Sequence, residues 1–476
     1  MRSCFVKPIM QFWLLISTFI ITNSAHAFIT SHGSLTRKNS YSTIGFTRIY
    51  ESDDSTRDMS SLKEWADKNY IEISSKATIT LNSGDDYGIT LNQSAKSMEK
   101  ILSVPKNMVL DSEKLRLEWN DQIEPALNHI EKAGFKDSGL NFILMLKVIK
   151  EYLMKEDSKW SSWIGSLPQS FTTGVCMDEV ELSCLPPFAL ALANFERQQL
   201  EIFSEAIELL ENENSSLLTE KVDANLILWA FNIVTTRCWR YAQDSDDTDV
   251  IRPIIVPIGD LMNHKEPPNV IVRDSDANGN VEFVLADDII VEDDKMSNLY
   301  LSYGLTNPHR FLIVFGFVDT SMPEIFSQLI FNKPTPELIN LGCNDRSKLV
   351  YRTSDGGIST TIWDCILYTL LAQVPQEQDL FYTAAALDNN MEEKLKFHAK
   401  YALEESMTLR GHVKGTVQEL KELIDKIDSV AFPDAHPRLE LIRQHNVFLH
   451  ETFSKVLQRI EARCQTEVMR RRGLNV

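Results

Sequence analysis

The chain reads as an α+β protein, and three observations lead there. Short apolar strand patterns occupy residues 71–104 and return between Ile254 and Tyr303. Helical periodicity fills the interval from Ser112 to about Gln243, and beyond Asp319 the strand signals thin and helical patterns dominate. Strands gathered apart from helices, rather than alternating with them, define this class. With 476 residues and 43% hydrophobic content, the chain can bury a large core and form more than one domain.

The first fifty residues read as an address. Arg2 and Lys7 precede the apolar run Phe12–Ile21, and Ala25-His26-Ala27 is a small-x-small cleavage site. Residues 1–27 are therefore a signal peptide, too short to remain as a membrane anchor. Residues 28–57 read as a transit peptide: Arg37, Lys38 and Arg48 lie among Ser and Thr, with no acidic residue before Glu51. A signal peptide, then Phe28, then a basic Ser/Thr-rich stretch resembles the bipartite leader of algae with secondary plastids, which implies the plastid stroma. Seven scattered cysteines without a C-x-x-C pair suggest neither a disulfide framework nor a zinc cluster, and a reduced compartment suits them. The net charge of −19 argues against a nucleic-acid partner and suits a basic substrate face.

The elements follow from spacing. Leu62, Trp65 and Ala66 predict a short amphipathic helix, and Ile71–Leu81 alternates like a strand. Gly84 to Gly88 turns that strand into Ile89-Thr90-Leu91, and Met98–Val104 is a strand stopped by Pro105. Helices are expected over Leu140–Met154, Pro187–Leu210 and Ala224–Tyr241. In the last, Leu226, Trp229, Ala230, Ile233 and Val234 share one face, and Arg237 continues it. An arginine there needs a partner, because burying an unpaired charge is prohibitive. Asp274 to Gly279 matches the first half of a calcium loop, but its twelfth position is Leu285 instead of a bidentate glutamate. Asn278-Gly279 is instead a hairpin turn between Val270–Val272 and Val281–Leu285. Helices then follow over Trp363–Ala372, Met391–Leu409, Val413–Ile427 and Arg438–Ile460. In the last, Leu439, Ile442, Leu449, Phe453, Val456 and Ile460 form one stripe. Arg470 to Arg472 read as a frayed, solvated tail.

Candidate chemistry concentrates in two stretches. The apolar run Ile254–Ile258 enters Asp260-Leu261-Met262-Asn263-His264, and Pro267-Pro268 breaks it. A buried strand ending in such a turn can hold a small polar ligand, and a side-chain-capped turn uses the same residues. The second stretch, Leu299–Tyr303, is a short strand closed by Gly304, followed by the apolar run Phe311–Val318.

An Asn-His pair answered by a strand-end Tyr-Gly resembles the SET domain of protein lysine methyltransferases. The run YGLTNPHRFLIVFGFVD resembles the subfamily typified by the Rubisco large-subunit methyltransferase. SSWIGSLPQSF at Ser161–Phe171 and LWAFNIVTTRCW at Leu228–Trp239 stand in that subfamily's order. The resemblance implies a knot-like β SET domain over residues 58–320, with a helical insert at about 112–243. An all-α domain over 321–476 would grip a folded protein substrate. The implied activity is protein-lysine N-methylation with S-adenosylmethionine on a stromal protein such as the Rubisco large subunit or fructose-bisphosphate aldolase. Tyr303 would be catalytic. Asp85, Tyr87, Gly88, Arg237, Asp260, Asn263, His264 and Phe315 would form the cofactor pocket, with no metal. Asp85 falls where the family places a carboxylate able to meet the cofactor's ammonium. The chain departs from the pattern in three places: Asp86 occupies the first glycine position of the G-x-G turn, Phe315 stands where a second tyrosine is usual, and the motif's asparagine comes early, at Asn307. A SET-fold binding module without activity stays open, as does histidine methylation like that of the related animal actin methyltransferase. No nucleic acid, no stable membrane anchor and a monomeric state are expected.

Overall fold

The computed structural model describes residues 57–83, 86–212, 217–218, 220–242, 251–274, 279–292, 295–304, 307–326 and 334–473. The expected leader up to residue 56, Asp85 and most of the Asp274–Gly279 loop lie outside the described residues.

Helix α1 (Leu62–Lys68) buries Leu62, Trp65 and Ala66, as their spacing predicts. The strand expected over Ile71–Leu81 is two strands, β1 (Glu72–Ile73) and β2 (Ala77–Ser83). A turn closed by the Ala77 N–H on the Ser74 carbonyl, at 2.9 Å, separates them. The polar Ser74-Ser75-Lys76 sequence favours that turn over a continuous strand. Strand β2 runs antiparallel to β3 (Asp86–Leu91), and β4 (Lys100–Val104) pairs with β1. After β5 (Leu110–Asp111), the Asp111 side chain caps α2 (Ser112–Trp119) by accepting from the Glu113 and Lys114 N–H groups.

The insert continues through α3 (Gly139–Met154), α4 (Pro187–Asn212) and α5 (Ala224–Arg237). The last stops four residues before the expected Tyr241. Trp239–Ala242 is strand β6, paired antiparallel with β7 (Ile251–Ile255). Thr235 and Thr236 weaken the helix at its end, and the apolar β7 offers residues 239–242 a ladder instead.

From β7 the chain passes the turn Gly259–Leu261 into β8 (Asn263–His264). Strands β9 (Val270–Asp274) and β10 (Val281–Leu285) form the expected hairpin pair, and β10 also pairs with β4, giving the sheet order β1-β4-β10-β9. Strand β11 (Ser297–Asn298) joins β3. Strand β12 (Tyr300–Leu301) pairs parallel with β8, with Tyr300 opposite Asn263 and Leu301 opposite His264. The apolar run that follows is helical: the Asn307 side chain caps Pro308–Arg310, which continues as a π-turn over Phe311–Phe315.

A short antiparallel pair, β13 (Glu324–Phe326) and β14 (Val350–Arg352), precedes the C-terminal helices α6 (Thr360–Leu370), α7 (Met391–Asp428) and α8 (Leu439–Arg471). Helix α7 replaces the two helices expected from Met391 to Ile427. Gly411 and Gly415 weaken the local propensity by roughly 1 kcal/mol each. Burial of Leu409, Val413 and Leu420 with Leu449, Phe453 and Val456 of α8 outweighs that loss. The arginine tail is docked instead of frayed: Arg471 makes two hydrogen bonds to Glu404, and Arg470 donates to the Ala399 carbonyl. Arg438, at the start of α8, ties this region to the insert through buried Glu181 and the Phe171 carbonyl. Among the described residues no helix is long and apolar enough to cross a membrane.

A polar network locks the C-terminal helices together. The His398 ring donates to Asp364 at 2.9 Å and to Glu405 at 2.8 Å, with Lys394 on Asp364 and Arg463 on Glu405. Burial pulls the His398 pKa down, but its two carboxylate partners outweigh that and raise it to about 9. A folded pKa above the unfolded value of about 6.5 adds stability that is complete below pH 6.5 and fades as pH rises through 9. His398→Gln should lower stability by about 3–5 kcal/mol at pH 6, as loss of one member of a buried charged set does. It should also flatten the decline between pH 7 and 9 in urea titrations. An unchanged slope in that window would remove His398 as its cause.

Candidate active site

The site is assembled where β8, β12 and the π-turn meet. Their parallel pairing sets Tyr303 beside His264: the Tyr303 N–H donates to His264 Nδ1 at 3.1 Å, and the Tyr303 hydroxyl donates to the Met262 carbonyl at 3.1 Å. The His264 ring lies 4.7 Å from Phe311 and 5.1 Å from Tyr303, centre to centre. Phe315 and Phe317 close the other side of Tyr303, at 5.1 and 6.3 Å. Tyr303 is half-buried and packs against both the main core and the cluster that includes Phe311, Tyr351 and Leu409.

Burial pulls the His264 pKa below the ordinary imidazole value despite the carboxylates of Asp319 and Glu266. The ring is therefore neutral near pH 7. Because Nδ1 accepts from Tyr303, the proton sits on Nε2, which faces the Asp319 carboxylate 3.7 Å away. The other Asp319 oxygen is held by the Ser321 N–H and hydroxyl. Burial likewise pushes the Tyr303 phenol up to about 12, with the nearby Arg237 working in the opposite direction. Tyr303 thus keeps its proton, and the bond to Met262 fixes where that proton points.

Beneath this layer lies an ion pair. Arg237 Nη1 donates to the Asp260 carbonyl at 2.8 Å and to its carboxylate at 3.1 Å, and Trp163 Nε1 stands 3.4 Å from both carboxylate oxygens. The Asp260 side chain is fully buried and that of Arg237 is 14% exposed. This pair is the partner that an arginine on the apolar face of α5 requires. It also joins three separate sequence blocks, at Trp163, Arg237 and Asp260.

At the open edge, the Asn263 amide donates to the Asp86 carboxylate at 3.1 and 3.3 Å, and Asn82 donates to the same carboxylate at 3.1 Å. Gly88 makes room for this arrangement, since a Cβ there would come within 2.8 Å of the Asn82 amide. The neighbouring Tyr87 ring faces the Arg57 guanidinium at 4.7 Å. The structure therefore gathers Gly88, Arg237, Asp260, Asn263, His264, Tyr303 and Phe315, and turns the Tyr87 ring toward Arg57. Asp85 lies outside the described residues. Asn307, early for the motif, is buried and serves as a helix cap. Sequence reasoning missed Asn82, Trp163, Met262 and Asp319 as partners. Trp163 and Asp319 stand within the quoted blocks, whereas Asn82 carries no sequence signal.

This architecture, with Asn263-His264 laid parallel to Tyr300-Leu301 just ahead of Tyr303-Gly304, is that of a SET-domain fold. The chain is similar to the crystal structure of the SET domain of LSMT bound to lysine and AdoHcy, with a TM-score of 0.56 and 14% identity over 86% of this chain and 91% of that one. It is likewise similar to Rubisco LSMT bound to AdoMet, with a TM-score of 0.55 and 14% identity over 88% and 93%. At that identity the likeness is one of fold. Mouse SET domain-containing protein 4 is 24% identical over 174 residues, which are 35% of this chain and 39% of that relative's length. No protein-family profile matches the chain.

The buried pair yields a stability test. Arg237→Ala leaves the Asp260 charge buried without its guanidinium and should lower unfolding stability by about 3–5 kcal/mol. Urea denaturation followed by tryptophan fluorescence measures this, and a loss under 1 kcal/mol would mean that water or another group satisfies Asp260.

Proposed function

We propose that the protein is an S-adenosylmethionine-dependent protein-lysine N-methyltransferase of the plastid stroma. The observation that carries the proposal is the Tyr303 hydroxyl, fixed on the Met262 carbonyl beside the Asn263-His264 pair in a SET fold. A stromal protein such as the Rubisco large subunit or fructose-bisphosphate aldolase is the proposed substrate, gripped by the C-terminal helices.

The residues present fit the cofactor. Asn82 and Asn263 offer amides, Asp86 offers a carboxylate, and Gly88 leaves space for a close approach. Arg237 stands behind them with a buried Nε that lacks a hydrogen-bond partner among the described residues. When bound, S-adenosylmethionine supplies an electrophilic methyl on a sulfonium. Gly88, Arg237, Asp260 and Asn263 would hold it, with His264 and Phe315 shaping the wall. The protein's task is then alignment of a neutral amine behind the methyl, with little covalent help. The Tyr303 O–H donates its hydrogen bond to the Met262 carbonyl, so the phenol oxygen keeps lone pairs that can accept an amine N–H or a polarised methyl C–H. With the phenol protonated up to about 12, Tyr303 is no base. The rate should therefore rise with pH as the substrate lysine, whose ordinary pKa is about 10.4, loses its proton.

Tyr303→Phe keeps the ring and loses the oxygen. Turnover should fall on the order of 100- to 1000-fold, the usual loss for one preorganised polar group, while cofactor affinity stays within about threefold. Near-normal turnover would show that Tyr303 is not the catalytic tyrosine. The class is tested by incubating the mature protein with labelled S-adenosylmethionine and a stromal extract and identifying the labelled residue. Lysine is expected. A labelled histidine would replace the reading with histidine methylation, and no label together with no cofactor binding would leave a binding module.

The localisation is read from Ala25-His26-Ala27-Phe28 and the acid-free stretch after it. Residues 1–58 fused to a fluorescent protein should enter the plastid, and Phe28→Ala should hold the fusion outside the stroma. Secretion of the unaltered fusion would refute it.

A further inference from the structure

Asp86 is the residue the sequence pattern least explains, and the structure gives it a definite setting. Its carboxylate lies at the open edge of the site and is exposed. It accepts from two neutral amides, Asn82 and Asn263, and among the described residues it forms no ion pair with a lysine, arginine or histidine. Other carboxylates around the site face cationic or imidazole partners: Asp260 has Arg237, and Asp319 faces His264. Asp86 is thus a negative charge held in place by hydrogen bonds, with acceptor capacity to spare.

We propose that Asp86 is the counter-ion for the α-ammonium of S-adenosylmethionine, with Asn263 orienting it; this rests on the methyltransferase reading above. The geometry supports the assignment in two steps. On the methyltransferase reading the sulfonium would lie near the Tyr303 hydroxyl, which donates to the Met262 carbonyl, and the next residue along the chain, Asn263, is the one that touches Asp86. The sulfonium and ammonium of the cofactor are separated by only a short carbon chain, so with the sulfur near Tyr303 the ammonium would be within reach of the Asp86–Asn263 pair. A sulfonium cannot donate a hydrogen bond, whereas an ammonium offers three N–H groups to a carboxylate already fixed by two donors. The assignment places a counter-charge at the first-glycine position of the turn.

Calorimetry on the mature protein and on Asp86→Asn separates the outcomes. Asparagine preserves the shape and an oxygen for the two amides, so the fold and turn should survive. Affinity for S-adenosylhomocysteine, which carries the ammonium, should drop about 10- to 100-fold, as expected for loss of one charge-assisted hydrogen bond. Affinity for 5′-methylthioadenosine, which lacks the amino-acid end, should change by less than about threefold. An equal loss for both ligands would mean that Asp86 only shapes the turn, and an unchanged affinity for both would mean that the ammonium binds elsewhere. Either result overturns the assignment and leaves the methyltransferase reading standing. Failure of the unaltered protein to bind either nucleoside would overturn both.

Discussion

Everything at the site depends on the two-residue parallel pairing of Asn263-His264 with Tyr300-Leu301. So short a ladder cannot hold itself together, because closing the intervening loop and ordering the backbone both oppose it. Its stability comes from what surrounds it. Tyr303 is wedged between two apolar clusters, and His264 and Tyr303 lie among Phe311, Phe315 and Phe317. The Tyr303 N–H bond to His264 Nδ1 then sets the register of the catalytic candidate against the Asn-His pair. Burial supplies the energy and one directional bond supplies the alignment.

The same division of labour recurs one layer down. The Arg237–Asp260 pair sits against Trp163, and its net contribution is small because desolvating two charges offsets their attraction. Its value lies in specificity: α5, the short Ser161–Gly165 helix and the Gly259–Leu261 turn are bound to one arrangement. The backbone bears strain there. Ile258, a fully buried β-branched residue, has φ of 71°, a region such residues rarely enter. The following Gly259 meets the Phe283 ring so closely that any Cβ would collide with it. The chain is bent sharply at this point, and the bend turns Asn263 and His264 toward the site.

Much of this was legible in the sequence because it follows from period and punctuation. The face of Leu226, Trp229, Ala230, Ile233 and Val234, the α8 stripe from Leu439 to Ile460 and the pairing of β9 with β10 all carry local signals. The errors share a different cause. The end of α5 was decided by pairing of residues 239–242 with β7, helped by Thr235 and Thr236, and the continuity of α7 by packing on α8, which outweighed Gly411 and Gly415. The tail at Arg470 and Arg471 is held by partners on α7, more than 60 residues away. At the site, the Asn-His and Tyr-Gly pairs could be found by pattern. The attachment of Asp86 to Asn263 could not, since it joins residues 177 positions apart and breaks the glycine pattern that drew attention to the turn.

The central claim is that the Tyr303 hydroxyl marks the point of methyl transfer. A crystal structure with S-adenosylhomocysteine and free lysine tests it most directly. The account predicts the lysine amine within hydrogen-bond reach of the Tyr303 oxygen, about 2.7–3.2 Å, on a line toward the sulfur. A nucleoside bound away from Asn263, or an amine whose approach to the sulfur bypasses Tyr303, would contradict it.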